Sequence, residues 1–339
     1  MDANVAVFGA TGAVGVEMVK ILEERAFPVK SLRLLASRGG RTVRWRGADV
    51  PVEAAGPGAF EGIDIALFAV ESGVSREWAP AAVKSGAVVI DNSSAFRMDP
   101  GIPLVVPEVN PDDIFTADGK SHSIIANPNC STIIALTVLA PLHRAAGLRR
   151  LVASTYQAVS GAGKAGLDEL ERQTRGYAEG RPPEVSVFQH PILFNLIPHI
   201  DAFGEDGYTK EELKMRDESR KILHTPDLRV SSTCVRVPVL RSHSEALTIE
   251  TERPLSPDGA REILRGAPGV KVVDSPPDNA YPMPLFASDQ DLVHVGRIRP
   301  DQSAGEGHGL VLWVSGDQIR KGAATNAVQI AEIVLNKKR

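Results

Sequence analysis

The chain has 339 residues, 43% hydrophobic and 24% charged, with 38 Lys+Arg against 42 Asp+Glu and a formal net charge of −4. That balance argues against a nucleic-acid or anionic-membrane partner, and the length allows two domains with cores of their own. Two cysteines cannot build a disulfide framework, the C-x2-C and H-E-x-x-H spacings are missing, and no run approaches the ~20 apolar residues of a membrane span. No metal is therefore expected, and a reducing, cytoplasmic compartment is. The N-terminus enters an apolar strand directly, so no signal peptide is expected.

In chain order, "NVAVFGATGAVG" reads as a strand (Val5, Val7, Phe8) running into Gly9, Gly12 and Gly15. Helical spacing follows at Val16, Val19, Ile21 and Leu22. Strand, glycine turn and helix form the setting in which a backbone approaches a pyrophosphate and unpaired helix N–H groups bind it. The spacing is G-x-x-G-x-x-G rather than G-x-G-x-x-G, and the triplet also fits a tight turn of an unrelated α/β protein. The next strand, "SLRLLAS", ends in Ser37 and Arg38, not in the carboxylate that would take a ribose 2′-OH. A hydroxyl and a guanidinium suit a 2′-phosphate, which favours NADP over NAD; a solvated basic loop is the alternative. "IDIALFAV" and "AVVIDNSS" are continuous apolar runs of the kind buried on both faces of a parallel sheet. "SREWAPAAVKSG" between them reads as a helix stopped by Gly86, and "HSIIANPNC" as a further strand. The alternation predicts a doubly wound sheet.

After Pro128, which disfavours helix at the residue before it, "STIIALTVLAPLHRAAG" predicts an apolar helix beginning at about residues 129–131 and ending near Gly147. Cys130 then sits at a helix N-terminus near the carboxyl end of a strand, where ligands of parallel sheets bind. Helix-end N–H groups stabilise a thiolate, and a thiolate attacks carbonyl carbon to give a thioester. An inert buried cysteine is the alternative. Cys234, inside the β-branched run "RVSSTCVRVPV", reads as strand packing. A nucleophilic thiol beside a nicotinamide suggests hydride exchange with a thiohemiacetal, aided by a base and an oxyanion donor.

The motifs "GATGAVG", "DNSSAFRMD", "NPNCST", "STYQAVSGAGKAG", "FNLIPHID", "EELKM", "CVRVPVLRSHSEA" and "KGAATNAVQIAE" together resemble the bacterial aspartate-β-semialdehyde dehydrogenase family over nearly the whole chain. The resemblance implies NADPH-dependent reduction of 4-phospho-L-aspartate to L-aspartate 4-semialdehyde with release of phosphate, in the route to lysine, methionine, threonine and diaminopimelate. It implies Cys130 as the acyl-thioester nucleophile, His243 as the general acid/base, Gln157 as the residue orienting the substrate, and Asn129 as a support for the tetrahedral intermediate. Arg236 would clamp the substrate α-carboxylate, Glu211 would receive its amino group, and Arg97 and Lys214 would hold phosphate. For the cofactor, Gly9, Thr11, Gly12, Ala13, Val14 and Gly15 match the pyrophosphate turn, Ser37 and Arg38 the 2′-phosphate contacts, and Ser160 and Gly161 a contact near the nicotinamide. Gln318 falls where the family more often has Asn. "ASRGGR" is about two residues shorter than the family's S-x-R-S-x-G, which bears on NADP preference.

The chemistry agrees with that assignment. A small polyanion suits the planar fork of Arg236 and the added charge of Arg97 and Lys214. Glu211 and Lys214 lie at i and i+3 of the predicted helix "TKEELKMRDESRKILH", hence on one face; taken alone, such a pair is a solvated surface. The unperturbed pKa of an imidazole would suit His243 to proton transfer near neutrality, whereas His143, His190 and His199 lack the support of a motif role, and His199 is read as structural.

The expected architecture is α/β: a Rossmann-like NAD(P)-binding domain plus an α+β catalytic and dimerisation domain with a mostly antiparallel sheet. The first would span 1–129 with the C-terminal helix 318–339, and the second 130–317. The second holds "LRRLVASTYQAVS", "VSSTCVRVPV", "EALTIETE", "DLVHVGRIRP" and "GLVLWVSG" as candidate antiparallel strands, with "RGYAEGRPPEVSVFQHP" as an excursion over the site or to a partner. The family builds a homodimer on this sheet, and a tetramer is possible within it. The rival enzyme is an N-acetyl-glutamyl-phosphate reductase, whose cysteine follows Pro-Gly where this one follows Pro-Asn. The rival of another class is a catalytically silent NADP-binding homologue.

Overall fold

The structure is a computed structural model that describes residues 2–337. It divides into two compact units, Met1–Asn129 with Ala323–Arg339, and Cys130–Gly322.

The first unit contains β1 (Ala3–Phe8), α1 (Ala13–Glu24), β2 (Val29–Ala36), β3 (Thr42–Trp45), β4 (Ala48–Ala54), β5 (Ile65–Phe68), α2 (Ser72–Lys84), β6 (Val88–Asp91) and β7 (Ile124–Ala126), with the C-terminal helix Thr325–Lys337. The strand order is β3-β4-β2-β1-β5-β6-β7. All neighbours are parallel except the β3–β4 hairpin. That hairpin closes on Arg46 and Gly47, both at positive φ, the geometry of a two-residue primed turn. The chain leaves β1 for β2 on one side and returns to β5 on the other, so β1 stands at the switch point of a doubly wound sheet.

Strand alternation sorts the core of this unit. Val5 and Val7 join Met18, Val19 and Leu22 of α1 and Val328, Ile330 and Val334 of the C-terminal helix. Each such buried aliphatic contributes roughly 1.5–3 kcal/mol over its exposed state. Phe8 points to the other face and packs edge-on against Phe60, Phe68 and Trp78. Val16, grouped with the α1 core residues by its spacing, is 44% exposed, and Met18 fills the core instead.

The second unit contains α3 (Cys130–Ala146), β8 (Leu148–Gln157), α4 (Gly163–Ala178), α5 (Lys210–Ile222), β9 (Arg229–Arg236), β10 (His243–Thr251), α6 (Pro257–Arg265), β11 (Val270–Val272), α7 (Pro284–Ala287), β12 (Val293–Pro300) and β13 (Gly309–Gly316). Its sheet runs β11-β12-β13-β10-β8-β9. The central pairings β12–β13, β13–β10 and β10–β8 are antiparallel, as expected. The edge strands differ from the expectation: β9 is parallel to β8, and β11 to β12. The cause at β9 is the long crossover carrying α4 and α5, which returns the chain in the direction it left. Helix α3 is buried along nearly its whole length, which is why it reads as apolar on every side. It lies on the sheet against β8, β10, β12 and β13 and beside α5 and α6.

The C-terminal return is later than expected. Asp317 to Ile319 are not helical, a wide π-turn covers Arg320–Ala324, and the α-helix begins at Thr325. Asp317 sets this start: its Oδ1 accepts the N–H groups of Ile319 and Arg320, and its carbonyl accepts that of Gly322. The return to the first unit therefore falls at Ala323 rather than Gln318, and Gln318 belongs to the second unit. Lys338 and Arg339, included in the expected helix, lie outside the described residues.

Candidate active site

In the first unit, Gly9 follows β1 at φ +90°, and a Cβ there would run into the Ala69 carbonyl. A Cβ on Gly15 would come within 2.8 Å of the Gly9 carbonyl carbon and 2.9 Å of Ala10 Cα. Both positions therefore require glycine. Gly12 is the N-cap of α1, with no side-chain cap, and its N–H donates to Gly9 O at 3.0 Å. Thr11 to Gly15 thus bring bare backbone and the first-turn N–H groups of α1 to the switch point, an arrangement that fits a dinucleotide pyrophosphate. Ser37 and Arg38 are exposed just past β2. The loop after them is short because it is stitched to β4: Gly40 N–H donates to Val52 O at 3.2 Å, and Val52 N–H to Arg41 O at 2.8 Å.

Arg97 also belongs to the first unit and is buried. Its Nε donates to Asn127 O and its Nη2 to Asn92 O, both at 2.9 Å. Asn127 donates to Asn92 Oδ1 at 2.7 Å and accepts from Asn326 Nδ2 at 2.7 Å, while Asn326 also donates to Val105 O at 2.9 Å. This amide ladder fixes the segment that leads out of β7. Asn129, the unit's last residue before Cys130, is buried.

The remaining candidates meet in the second unit. Cys130 is half-buried at the first position of α3, where helix-end charge favours an anion. A Cβ on Gly322 would lie 2.9 Å from Cys130 Cβ, so the chain after β13 passes directly against the nucleophile candidate. Arg236 ends β9, buried, and its Nη1 donates to Ala158 O at 2.8 Å. Burial pulls its pKa down, against the attraction of Glu211 and Cys130.

Gln157 ends β8. Its Oε1 accepts from Thr155 Oγ1 at 3.0 Å and its Nε2 donates to Glu211 Oε1 at 3.1 Å. Glu211 Oε2 accepts from Lys214 Nζ at 3.0 Å, and Lys214 also donates to Asp201 Oδ2 at 2.8 Å. Burial lowers the Lys214 ammonium, but Glu211 and Asp201 outweigh it and its pKa is raised. Thr209 and Glu212 form a capping box at the start of α5, and the second oxygen of Glu212 accepts the Cys234 N–H at 3.0 Å. Helix α5 is thereby locked to β9, which registers Glu211 beside Gln157.

His243 opens β10 and is fully buried. Ala158 N–H donates to its Nδ1 at 3.1 Å, so the neutral ring carries its proton on Nε2. The 3.4 Å approach of Gln157 Nε2 to His243 Nε2 then brings two N–H groups together and is a contact rather than a hydrogen bond. Burial, and then Arg236, hold the ring well below the usual imidazole pKa and keep it neutral. A Cβ on Gly161 would lie 2.8 Å from Arg236 Nη1 and 3.3 Å from His243 Cε1, so backbone fills that space. Gln318 donates from Nε2 to Ser160 Oγ and accepts the Ser242 N–H at 2.8 Å through Oε1.

One residue of this cluster escaped the sequence reading. Glu245 is fully buried, and neither carboxylate oxygen has a hydrogen-bond partner among the described residues. Burial, and then Glu211, push its pKa well up. The period of two along β10 was the available signal, since it places position 245 on the face of His243. Cys234 is buried, its thiol pushed well up by burial and then by Glu211. Among the described residues no group of His, Cys, Asp and Glu is arranged to hold a metal, and no helix is long and apolar enough to cross a membrane.

The family model "Semialdehyde dehydrogenase, NAD binding domain" matches residues 4–117, and "Semialdehyde dehydrogenase, dimerisation domain" matches residues 139–321. The chain is 53% identical to an aspartate-semialdehyde dehydrogenase of Aquifex aeolicus (strain VF5), over 99% of this chain and 98% of the relative. It is 48% identical to one of Bacillus subtilis (strain 168), over 97% and 96%. Among solved structures it matches aspartate semialdehyde dehydrogenase II from Vibrio cholerae with a TM-score of 0.95 and 47% identity, over 99% of both chains, and that protein has also been solved complexed with ASA. It matches the Candida albicans aspartate semialdehyde dehydrogenase with NADP at a TM-score of 0.76 and 26% identity, over 99% of both chains. The chain belongs to the aspartate-semialdehyde dehydrogenase family.

Proposed function

We propose that the protein reduces 4-phospho-L-aspartate to L-aspartate 4-semialdehyde with NADPH, releasing phosphate, on the route to lysine, methionine and threonine. It does so as a homodimer built on the second unit, in a reducing cytoplasm that keeps Cys130 a thiol. The observation that carries the reading is the cluster of Arg236, Gln157, Glu211 and His243, joined through Ala158 and by direct hydrogen bonds, in the unit that Cys130 opens.

Gly9 to Gly15 would hold the pyrophosphate, and Ser37 with Arg38 the 2′-phosphate that distinguishes NADP from NAD. When bound, the dinucleotide supplies the hydride. Cys130 Sγ, as the thiolate that the helix end favours, attacks the acyl carbon of the substrate; the C–S bond forms and the C–O bond to phosphate breaks, with Lys214 and Arg97 as the cations assigned to the phosphate. Arg236 holds the α-carboxylate through its planar fork, and Glu211 receives the ammonium. Gln157, anchored by Thr155 and Glu211, fixes the carbon beside the sulfur. His243 donates from Nε2–H to the oxyanion of the tetrahedral species, with Asn129 assisting. Once the thioester carbon has received the hydride, the thiohemiacetal anion re-forms the carbonyl and breaks the C–S bond, releasing the aldehyde and the Cys130 thiolate.

The deciding assay is phosphate-dependent reduction of NADP, and separately of NAD, with aspartate semialdehyde. Turnover with NADP supports the reading. Turnover with an N-acetyl-glutamate semialdehyde in its place, or none with either aldehyde, removes it.

A further inference from the structure

His243 is preceded by Ser242, a fully buried residue at φ +72°. A residue with a Cβ takes that left-handed conformation only where its surroundings hold it. Here the surroundings do. The Ser242 N–H donates to Gln318 Oε1 at 2.8 Å. Its hydroxyl lies 2.9 Å from Ser288 Oγ. Ser288 Oγ donates to Pro284 O at 2.8 Å, so within the serine pair Ser242 is the donor. One residue earlier, Arg241 Nε donates to Asp317 Oδ2 at 2.6 Å, and Arg241 Nη1 pairs with Asp289 at 2.9 Å. Asp317 is fully buried and also accepts the Asp289 N–H at 2.7 Å. The far end of Gln318 donates to Ser160 Oγ, next to the Gly161 backbone that abuts the His243 ring.

We propose that Ser242 is a positioning residue: its left-handed backbone, held by Gln318 and Ser288, aims the His243 ring so that Nδ1 meets the Ala158 N–H and Nε2 faces the substrate oxygen. In this arrangement Gln318 joins the loop after β8 to the residue before His243, a role separate from any contact with a nicotinamide. Relaxing Ser242 to an extended or helical φ would redirect the first side chain of β10 and free the ring to take the other tautomer. The inference deepens the proposed reaction and rests on it for its catalytic consequence, but the ring orientation can be read without turnover.

The test uses the full-length protein labelled with 15N-histidine. NMR of the wild type should show His243 protonated at Nε2 and bare at Nδ1. Ser242→Gly, at home at positive φ, should keep that tautomer and hold kcat within about threefold. Ser242→Val, a β-branched outlier there, should give mixed tautomers and a kcat lower by about 100-fold, with KM for aspartate semialdehyde and NADP within about threefold. If the valine variant does not fold, Ser288→Ala, which removes the hydroxyl acceptor and its own bond to Pro284 O, should give the same mixture and a kcat lower by about tenfold. An unchanged tautomer in folded Ser242→Val, or in Ser288→Ala where valine is not tolerated, overturns the proposal. Wild type with the expected tautomer but no aspartate-semialdehyde turnover upholds the positioning and overturns the reaction.

Discussion

Gly322 passes so near Cys130 that a methyl group on its α-carbon would sit 2.9 Å from the Cys130 β-carbon. The side chain cannot be added without moving the nucleophile candidate or the π-turn that carries residue 322. Gly322→Ala should lower kcat by about 100-fold, because a sub-ångström displacement of an attacking atom is costly. Alkylation of Cys130 by iodoacetamide should slow in parallel. Normal turnover in the alanine variant would mean that the turn yields without disturbing the thiol.

Removing the sulfur tests the covalent step. Cys130→Ala should abolish turnover and leave NADP binding intact, since the pyrophosphate turn belongs to the other unit. Fluorescence titration with NADPH and a steady-state assay on one preparation give both results. Near-normal rates would rule out a thioester.

Arg236 is buried, with one guanidinium nitrogen committed to Ala158 O. Arg236→Leu should raise KM for aspartate semialdehyde by about 100-fold, and Arg236→Lys should recover little, because an ammonium cannot reproduce the fork. An unchanged KM would remove its assignment to the substrate carboxylate.

Glu245 gives a prediction about stability. Its carboxyl is held well above its ordinary value of 4.5 by burial and then by Glu211, so the folded protein keeps a proton that the unfolded chain releases. Its stabilising contribution is complete below the ordinary value and is lost as pH rises through the raised one. Glu245→Gln removes the ionisation while keeping the shape. The variant should melt with the wild type near pH 4.5 and about 3 °C above it near pH 8.5. Calorimetry at the two pH values decides this: an equal gap at both would show that the carboxyl does not ionise on unfolding.

Arg38 tests the cofactor preference. Arg38→Ala should weaken NADPH binding by about tenfold and leave NADH binding within about twofold, as loss of a charged hydrogen bond to a 2′-phosphate requires. Equal weakening of both would assign Arg38 to the adenine or to solvent.

Much of this was legible in the residues. The parallel strands announced themselves as unbroken apolar runs, and Pro128 fixed the start of α3 to within a residue. "EELKM" placed Glu211 and Lys214 on one face, and they pair as that spacing implies. What the chain hid has physical reasons. The β3–β4 hairpin turns on Arg-Gly, without the Asn-Gly signal. Strand β9 looks like any alternating strand, because direction is set by the connection and not by composition. Asp317 delays the last helix through side-chain bonds that periodicity does not record. The tautomer of His243 depends on a backbone N–H from residue 158, which no local pattern relates to it.

The amide ladder joins Asn127 to Asn326, a partner 199 positions further along. The core of the nucleotide unit likewise waits for Val328, Ile330, Val334 and Leu335. During synthesis, then, Met18 and Leu22 emerge early, and the part of the core that the C-terminal helix supplies is still missing until that helix is made. The unit that begins first is completed last, after the whole inserted sheet has been made. Chains halted before Thr325 would lack that cover and leave the nucleotide unit's core incomplete.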